Sequence, residues 1–365
     1  MSTIERLDVR ICKLPTERGP ESDGTAAWDS TTMVIAEARA GGVTGLGYSY
    51  IDAAAAAIIR DLLAPVVIGT SAFAIPTAHA AMSTVVRNHG RTGLVACAIS
   101  AVDIALWDLK ARLAGVALAN LLGPARASVP VYASGGFTSS TLDELARELA
   151  NDAAAGHRRV KIKIGRDPGG DVERVRIARE AIGPSVELMV DANGAYDRKQ
   201  ALRLGQEFAR HGVVYFEEPV VADDLAGLRL LRDCLPMAIA AGEYGYDPTY
   251  FRRMLDAQAV DILQADATRA LGITGVLQAD ALCAAHQVPL SSHCAPAIHA
   301  HVGAAATRRQ TAARSAACSA ITREPRTELR VRVSRRAPGA VSRRHAAHEA
   351  RAQRGHSRRI SRRRR

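Results

Sequence analysis

The sequence predicts an α/β protein in which an N-terminal α+β domain precedes a TIM-like (β/α) barrel that lacks a normal last unit. Short apolar strands alternate with helical stretches from residue 129 onward, a pattern typical of parallel β/α units. The part before them contains a hairpin pattern followed by helical stretches. With 365 residues, of which 48% are hydrophobic, the chain is large enough to bury an extensive core.

Residues 1–125 form the predicted α+β domain. Thr32–Ala38 alternates and is β-branched, and together with the later segment LGYSY it predicts a β-hairpin. The glycines between these segments are interpreted as turn glycines and not as a phosphate loop, because no helix follows them. Ala98–Leu113 has apolar residues three and four positions apart, which predicts an amphipathic helix.

Residues 126–305 form the predicted barrel, because seven apolar strands follow one another with helices between them. The predicted strands are Val129–Gly136, Val160–Ile164, Val186–Asn193, Val213–Pro219, Met237–Glu243, Val260–Asp266 and Val288–His293. The predicted helices are Thr141–Ala155, Asp171–Ile182, Arg198–His211, Leu225–Cys234, Pro248–Ala257 and Thr274–His286. Since the units are many and no Gly-rich dinucleotide turn is present, a closed barrel is favoured over an open sheet.

Acidic residues or a histidine end five successive strands, at intervals of 26, 26, 23 and 27 residues. These residues are Asp191, Glu217, Glu243, Asp266 and His293. The C-terminal ends of barrel strands meet at one mouth, so residues one unit apart become neighbours. Three converging carboxylates repel one another unless a cation lies among them, and hard oxygen ligands select Mg²⁺. We therefore predict a metal site at Asp191, Glu217 and Glu243, although each acid alone would be interpreted as a helix cap.

Two lysines, Lys161 and Lys163, lie in the strand sequence VKIKI, so both point to one face of the strand. In a barrel the other face packs against helices, and the lysines then point into the mouth. On an exposed edge strand they would be ordinary solvated lysines. Two ammonium groups beside each other and beside a metal lower each other's pKa, so one of them is predicted to act as a base.

Further polar residues are expected around this mouth. Asp266 and His293 stand on consecutive strands, where the carboxylate fixes the tautomer of the imidazole and raises its basicity. Asn193 lies two residues beyond Asp191 on the same face, so we predict that it binds substrate. Glu218 is expected to face away from Glu217 and to have a structural role.

In this order, the motifs resemble those of the enolase superfamily, specifically the mandelate racemase / muconate lactonizing enzyme family and its mandelate racemase subgroup. The resemblance covers about residues 1–305. It rests on the helical segment Ala98–Gly123 and on five short motifs. These motifs contain the lysine pair Lys161 and Lys163, Asp191 in the sequence DAN, Glu217 in EEP, Glu243 in GE, and the pair Asp266 and His293. It implies a capping domain over a modified barrel, with Mg²⁺ bound by the three predicted ligands.

The resemblance also implies an enzyme that removes the α-proton of a carboxylate substrate through an enediolate. Lys161 would stabilise the developing charge, while Lys163 and His293 would act on opposite faces of the substrate. Dehydration of a sugar acid by such a lyase is the first expectation, and racemisation or epimerisation of a 2-hydroxy acid is the alternative. The segment Leu14–Asp29 is expected to be a mobile loop over the mouth that determines substrate specificity.

The charge is distributed unevenly. The whole chain carries +11, whereas residues 306–365 carry +16 through 19 Arg and three Glu, which leaves −5 for residues 1–305. An acidic body makes a DNA-coating domain an unfavoured interpretation. The six scattered cysteines, with no CxxC pair, predict reduced thiols and a cytoplasmic location. We expect no secretory signal and no membrane partner, and a homo-oligomer if the chain folds.

The Arg-rich segment 306–365 departs from the family pattern, since an eighth strand is not recognisable in it and Thr311–Ser319, where the family has a further acid after the histidine, contains none; Glu324 and Glu328 come too late in the chain. Three interpretations remain. It is a basic extension that binds nucleic acid, a disordered solvated tail, or the product of a reading-frame change. The frame change is favoured because it accounts for both the composition and the missing strand, and it predicts an open barrel without activity.

Overall fold

The computed structural model describes residues 2–17 and 19–307, and the backbone of residues 310–315 and 328–330. The fold class predicted from the sequence is confirmed: a small antiparallel sheet with helices precedes a parallel β/α barrel. Each part has its own hydrophobic core. Within the described residues, the helices are too short or too polar to cross a membrane.

The N-terminal part contains one three-stranded antiparallel sheet, one short hairpin and five helices. Its strands are β1 (Arg6–Pro15), β2 (Glu21–Ser22), β3 (Ala27–Trp28), β4 (Ser30–Ala40) and β5 (Val43–Tyr50). Its helices are α1 (Ala55–Ile58), α2 (Ala64–Val67), α3 (Ile75–Val85), α4 (Leu94–Leu113) and α5 (Leu118–Leu122), with a π-helical turn at Ile59–Leu63. The sheet order is β1-β4-β5, and β2 pairs with β3.

The predicted hairpin is formed by β4 and β5, which are joined by Gly41 and Gly42 at φ values of +55° and +73°. Two other glycines of the hairpin have a different structural role. Gly45 and Gly47 lie in β5 against α4, so close that a Cβ at Gly47 would overlap the backbone of Ala101 and Ala105. The glycines therefore let a helix pack directly on a strand.

This packing leads to an expected stability change. The Gly47→Ala variant should lose about 3 kcal/mol of unfolding free energy, because the rigid backbone of α4 cannot move away from the added methyl group. Urea denaturation measures the change. Gly169→Ala is the matched control, since the nearest atom there is a side-chain oxygen of Asp167 at 3.4 Å. Equal unfolding midpoints for the two variants would contradict the close packing.

The barrel consists of eight parallel strands with helices outside them. The strands are β6 (Ser128–Gly135), β7 (Arg159–Lys163), β8 (Glu187–Asp191), β9 (Val213–Glu217), β10 (Ala238–Ala241), β11 (Ile262–Ala265), β12 (Leu290–Ser292) and β13 (Gln310–Ser315). The helices are α6 (Leu142–Ala154), α7 (Asp171–Ile182), α8 (Arg198–Arg210), α9 (Leu225–Cys234), α10 (Pro248–Asp256), α11 (Gly272–His286) and α12 (Pro296–Ala305). A short strand, β14 (Glu328–Arg330), pairs antiparallel with β6.

The expectation that the chain lacks an eighth strand was wrong. Strand β13 pairs in parallel with β12 on one side and with β6 on the other, which closes the barrel. Its residues belong to the segment that the sequence analysis assigned to the tail. The reason is that β12 and β6 each offer unpaired backbone N–H and C=O groups, which a short extended segment satisfies without an apolar pattern. Residues 316–327 and 331–365, to which the three interpretations of the tail mainly refer, lie outside the described residues.

Helix α4 connects the N-terminal part to the barrel. Asp103 of this helix is fully buried and accepts hydrogen bonds from the backbone N–H and the hydroxyl of Thr274, at 3.0 and 2.6 Å. Ser100 accepts a bond from the backbone N–H of Gly272 at 3.0 Å. Both acceptors therefore hold the start of α11 and fix the N-terminal part against the barrel.

Candidate active site

Three buried carboxylates converge at the mouth of the barrel. Asp191 ends β8, Glu217 ends β9, and Glu243 follows β10 after a single glycine. These residues are at most 2% exposed, and one carboxylate oxygen of each lies within 4.8 Å of the other two. We call these three residues the carboxylate triad. The spacing of one β/α unit in the sequence thus corresponds to neighbouring positions in space.

Both lysines of β7 contact this triad. Lys161 Nζ lies 2.5 Å from Glu217 Oε1 and 3.2 Å from Asp191 Oδ2. Lys163 Nζ donates to Asp191 Oδ2 at 2.5 Å and to Asn193 Oδ1 at 3.1 Å. The two side chains point into the mouth, as the period-two pattern predicts.

The carboxylates around the two lysines raise both lysine pKa values, and the lowering predicted beside a bound metal stays a prediction. Burial lowers the pKa of Lys163, and Lys161 lowers it further, but Asp191, Glu243 and Glu217 outweigh both and raise it. The pKa of Lys161 is likewise raised, because Glu217 and Asp191 outweigh its burial. The surrounding carboxylates thus have a larger effect on the lysine pKa values than burial has.

Asp266 and His293 form the predicted pair on the other side of the triad. His293 Nδ1 lies 2.8 Å from Asp266 Oδ2, and His293 Nε2 lies 3.2 Å from Glu243 Oε2. Asp266 Oδ1 accepts two bonds from Thr268, which fix the carboxylate. Burial lowers the pKa of His293, but Cys294, Glu243 and the bond to Asp266 outweigh it and raise the pKa well above its ordinary value.

Asn193 and Glu218, which follow the strand ends, have left-handed backbone conformations, with φ values of +49° and +39°. Such values are uncommon outside glycine and often occur at functional sites. Asn193 contacts Lys163 as described above. Glu218 was expected to have only a structural role, but it lines the mouth, is 1% exposed and leaves Oε1 without a hydrogen bond in the described structure. Its strained backbone turns the side chain toward the mouth.

A cavity of about 530 Å³ opens beside the triad. Residues that follow β8, β9 and β10, including Asn193 and Glu218, form its floor, and Thr25 and Thr92 of the N-terminal part contribute to its wall. The carboxylate triad itself does not line the cavity but adjoins it through these neighbours. The cavity is therefore bounded by both parts of the chain.

The loop between β2 and β3 lies on the barrel mouth. Gly24 sits where the carbonyl oxygens of Ile164 and Ala192 leave no room for a Cβ. Thr138, which follows β6, donates to the Asp23 carbonyl at 2.8 Å. The part of the predicted loop around Gly24 lies on the mouth, and its mobility and its role in specificity stay predictions.

Three residues near the site were not found from the sequence. Arg269 Nη1 lies 3.3 Å from Glu243 Oε1, and its guanidinium lies 5.1 Å from the centroid of the Tyr244 ring. Cys294 Sγ lies 3.3 Å from His293 Nε2. No spacing pattern identifies these residues, although each lies within three positions of a predicted one.

Two known protein families match successive parts of the chain. Residues 6–123 match the mandelate racemase / muconate lactonizing enzyme N-terminal domain, and residues 144–337 match the enolase C-terminal domain-like family. The chain belongs to the mandelate racemase / muconate lactonizing enzyme family. The second match continues beyond residue 305, where the resemblance in the sequence motifs ends.

Individual members of the family are similar over most of the chain. L-talarate/galactarate dehydratase of Salmonella typhimurium is 35% identical over 279 residues, which are 75% of this chain and 70% of that protein. A mandelate racemase/muconate lactonizing enzyme-like protein from Rubrobacter xylanophilus is 50% identical, with a TM-score of 0.87 over 91% of this chain and 94% of its own. L-talarate dehydratase from Polaromonas, crystallised with Mg and L-glucarate, is 33% identical, with a TM-score of 0.80 over 86% and 87% of the two chains.

Proposed function

We propose that this chain is a Mg²⁺-dependent hydro-lyase that removes the α-proton of a sugar acid and eliminates water. The observation that carries the proposal is a buried carboxylate triad with a group able to transfer a proton on either side, Lys163 and His293. Its relatives support it, since members of this family act on sugar acids and one was crystallised with Mg and such an acid.

The carboxylate triad fits a divalent cation. Burial and the charge of Asp191 raise the pKa of Glu217 to about 7, and Glu217 Oε2 has no hydrogen-bond partner in the described structure. A buried carboxylate oxygen without a partner, beside two further carboxylates, is a ligand that a hard cation would bind. When bound, Mg²⁺ supplies positive charge that offsets the triad and stabilises the negative charge that develops on a substrate carboxylate.

Lys163 is proposed as the base that takes the α-proton. Its Nζ is held by Asp191 and Asn193 and faces the mouth from β7. Lys161 is fully enclosed between Asp191 and Glu217, and its Nζ lies 5.4 Å from the Tyr132 ring centroid, so it is fixed as a positive charge. An enediolate carries more negative charge than the acid from which it forms, and a fixed ammonium group stabilises that difference.

His293 is proposed as the acid that protonates the leaving β-hydroxyl. The raised pKa of His293 favours the protonated imidazole that a general acid requires, and Asp266 fixes the ring through Nδ1. The remaining nitrogen, Nε2, is the one that transfers the proton. Asn193 is proposed to bind a substrate oxygen, since its amide lies beside Lys163.

Racemisation or epimerisation of a 2-hydroxy acid is the second candidate. The same observation favours it, because two proton-transfer groups on either side of the triad allow a proton to leave one face and return to the other. The two reactions differ only in whether a hydroxyl group leaves from the neighbouring carbon.

The His293→Asn variant separates these roles. Loss of water from an accepted acid should fall roughly 10³-fold, because the general acid is removed, whereas exchange of the α-proton by Lys163 should persist. NMR in D₂O measures both. His286→Asn, at the end of α11, is the matched control and should leave both rates unchanged. Undiminished water loss in His293→Asn would contradict the assignment.

A further inference from the structure

The cavity at the barrel mouth is lined mainly by uncharged polar and acidic side chains. Hydroxyl groups and carboxylates dominate it, together with one amide. The polar side chains that line it are Thr25, Thr92, Tyr244, Tyr246, Tyr250, Asn193, Glu218 and Asp223. Three of the eight tyrosines of the chain lie in this lining.

The inner end of the cavity adjoins the proposed reaction centre. Asn193 accepts a hydrogen bond from Lys163, and Glu218 follows the triad residue Glu217 directly in the chain. The outer end lies toward Asp223 and Thr92, both of which are exposed. A substrate whose α-carbon lies at Lys163 therefore extends its distal part into this cavity.

The described residues that line the cavity include no lysine, arginine or histidine, whereas two of them are acids, Glu218 and Asp223. Arg269 lies near one wall over the Tyr244 ring, but its Nη1 is engaged by the carbonyl and the carboxylate of Glu243 at 3.1 and 3.3 Å. A second substrate carboxylate placed here would lie beside like charge and without a cationic partner among the lining residues, which is unfavourable.

Hydroxyl groups match this lining. A sugar hydroxyl donates to a carboxylate and both donates to and accepts from Thr and Tyr hydroxyls. We propose that the distal part of the substrate is an uncharged polyhydroxy chain, so that the chain acts on monocarboxylic sugar acids in preference to dicarboxylic ones. This inference rests on the proposed function above and concerns the same site.

A distal ammonium group is the other chemistry that acidic residues could accept. It donates at most three hydrogen bonds from one atom, and a single carboxylate satisfies its charge. The five hydroxyl groups around about 530 Å³ are spread over both parts of the chain, which suits a chain with a hydroxyl on each carbon. We therefore include an acid with a distal ammonium group as a comparison in the test.

The test uses the full chain with Mg²⁺ and acids that differ only at the distal carbon: D-gluconate with D-glucarate, and D-galactonate with D-galactarate. Lysine is the compound with the distal ammonium group. The measurement is kcat/KM for α-proton exchange in D₂O, with calorimetric binding to the Lys163→Ala variant as an independent readout. At least one monocarboxylic acid should exceed its dicarboxylic partner roughly tenfold or more in kcat/KM and in affinity.

A charge reversal in the cavity should change this preference. Asp223→Lys should shift the ratio of the two affinities roughly tenfold toward the dicarboxylic acid, because it supplies the missing cation. Asp256→Lys is the control, because it makes the same charge change at the C-terminal end of α10, whereas the lining residue Tyr250 lies near the start of that helix. It should leave the ratio of the two affinities unchanged.

The outcomes are distinguishable. Equal or better exchange and binding with the dicarboxylic acids, or with lysine, overturns this inference and leaves the proposed function intact. An unchanged ratio in Asp223→Lys also overturns it, because the distal part would then lie elsewhere. Absence of exchange with every acid removes the proposed function itself, and this inference with it.

Discussion

Replacement of Lys163 by alanine is expected to lower α-proton exchange of an accepted sugar acid in D₂O by roughly 10³-fold, because the variant removes the proposed base. The lysine has no substitute on its side of the triad, since Lys161 is enclosed by Glu217 and Asp191. NMR of the substrate α-proton gives the rate directly. The change should appear in kcat far more than in KM, as expected for a group that acts in the transition state.

The matched control is Lys199→Ala, which removes an exposed lysine from helix α8. It should retain the wild-type rate. If exchange continued at the wild-type rate in Lys163→Ala, another group would be the base and the assignment would be wrong. Thermal unfolding of both variants shows whether a loss of activity reflects a loss of folded protein.

The second large effect is expected for Mg²⁺ binding. Glu217→Gln keeps the size of the side chain but removes one of three anionic ligands, so the dissociation constant for Mg²⁺ should rise roughly 100-fold. The carboxylate is fully buried and has one oxygen without a hydrogen-bond partner in the described structure, which makes it a strong candidate ligand. Isothermal titration calorimetry with Mg²⁺ alone measures the change without any substrate.

Glu207→Gln is the control for this experiment, because Glu207 is a surface residue of α8 that pairs with Arg210. Its Mg²⁺ affinity should equal that of the wild type. Unchanged Mg²⁺ affinity in Glu217→Gln would place the metal elsewhere or remove it from the mechanism.

Much of the barrel could be predicted from the sequence because strands that are buried on both faces contain continuous apolar runs. Helices α7 and α9 have the predicted bounds, whereas the ends of the strands differ from the predicted ends by a few residues. The candidate site followed from the same pattern. Residues such as Asp191 and Glu217 come directly at strand ends, and the closed geometry brings strand ends together.

The features that could not be predicted from the sequence depend on contacts between distant elements. Strand β13 has no apolar pattern, and its pairing arises from the open backbone edges of β6 and β12. Glu218 turns into the mouth because of a left-handed backbone, which a strand pattern does not encode. The raised pKa of Lys163 reflects the number of carboxylates around it, which only the three-dimensional arrangement determines.

The central claim is that the barrel mouth removes an α-proton with the help of Mg²⁺ held by the carboxylate triad. The most direct measurement is α-proton exchange of a panel of monocarboxylic sugar acids in D₂O with the full-length chain, with Mg²⁺ and with a chelator. The account predicts exchange with at least one acid that requires Mg²⁺ and returns when the metal is restored. Exchange at the same rate in the presence of chelator, or none with any acid despite a folded protein that binds Mg²⁺, would contradict it.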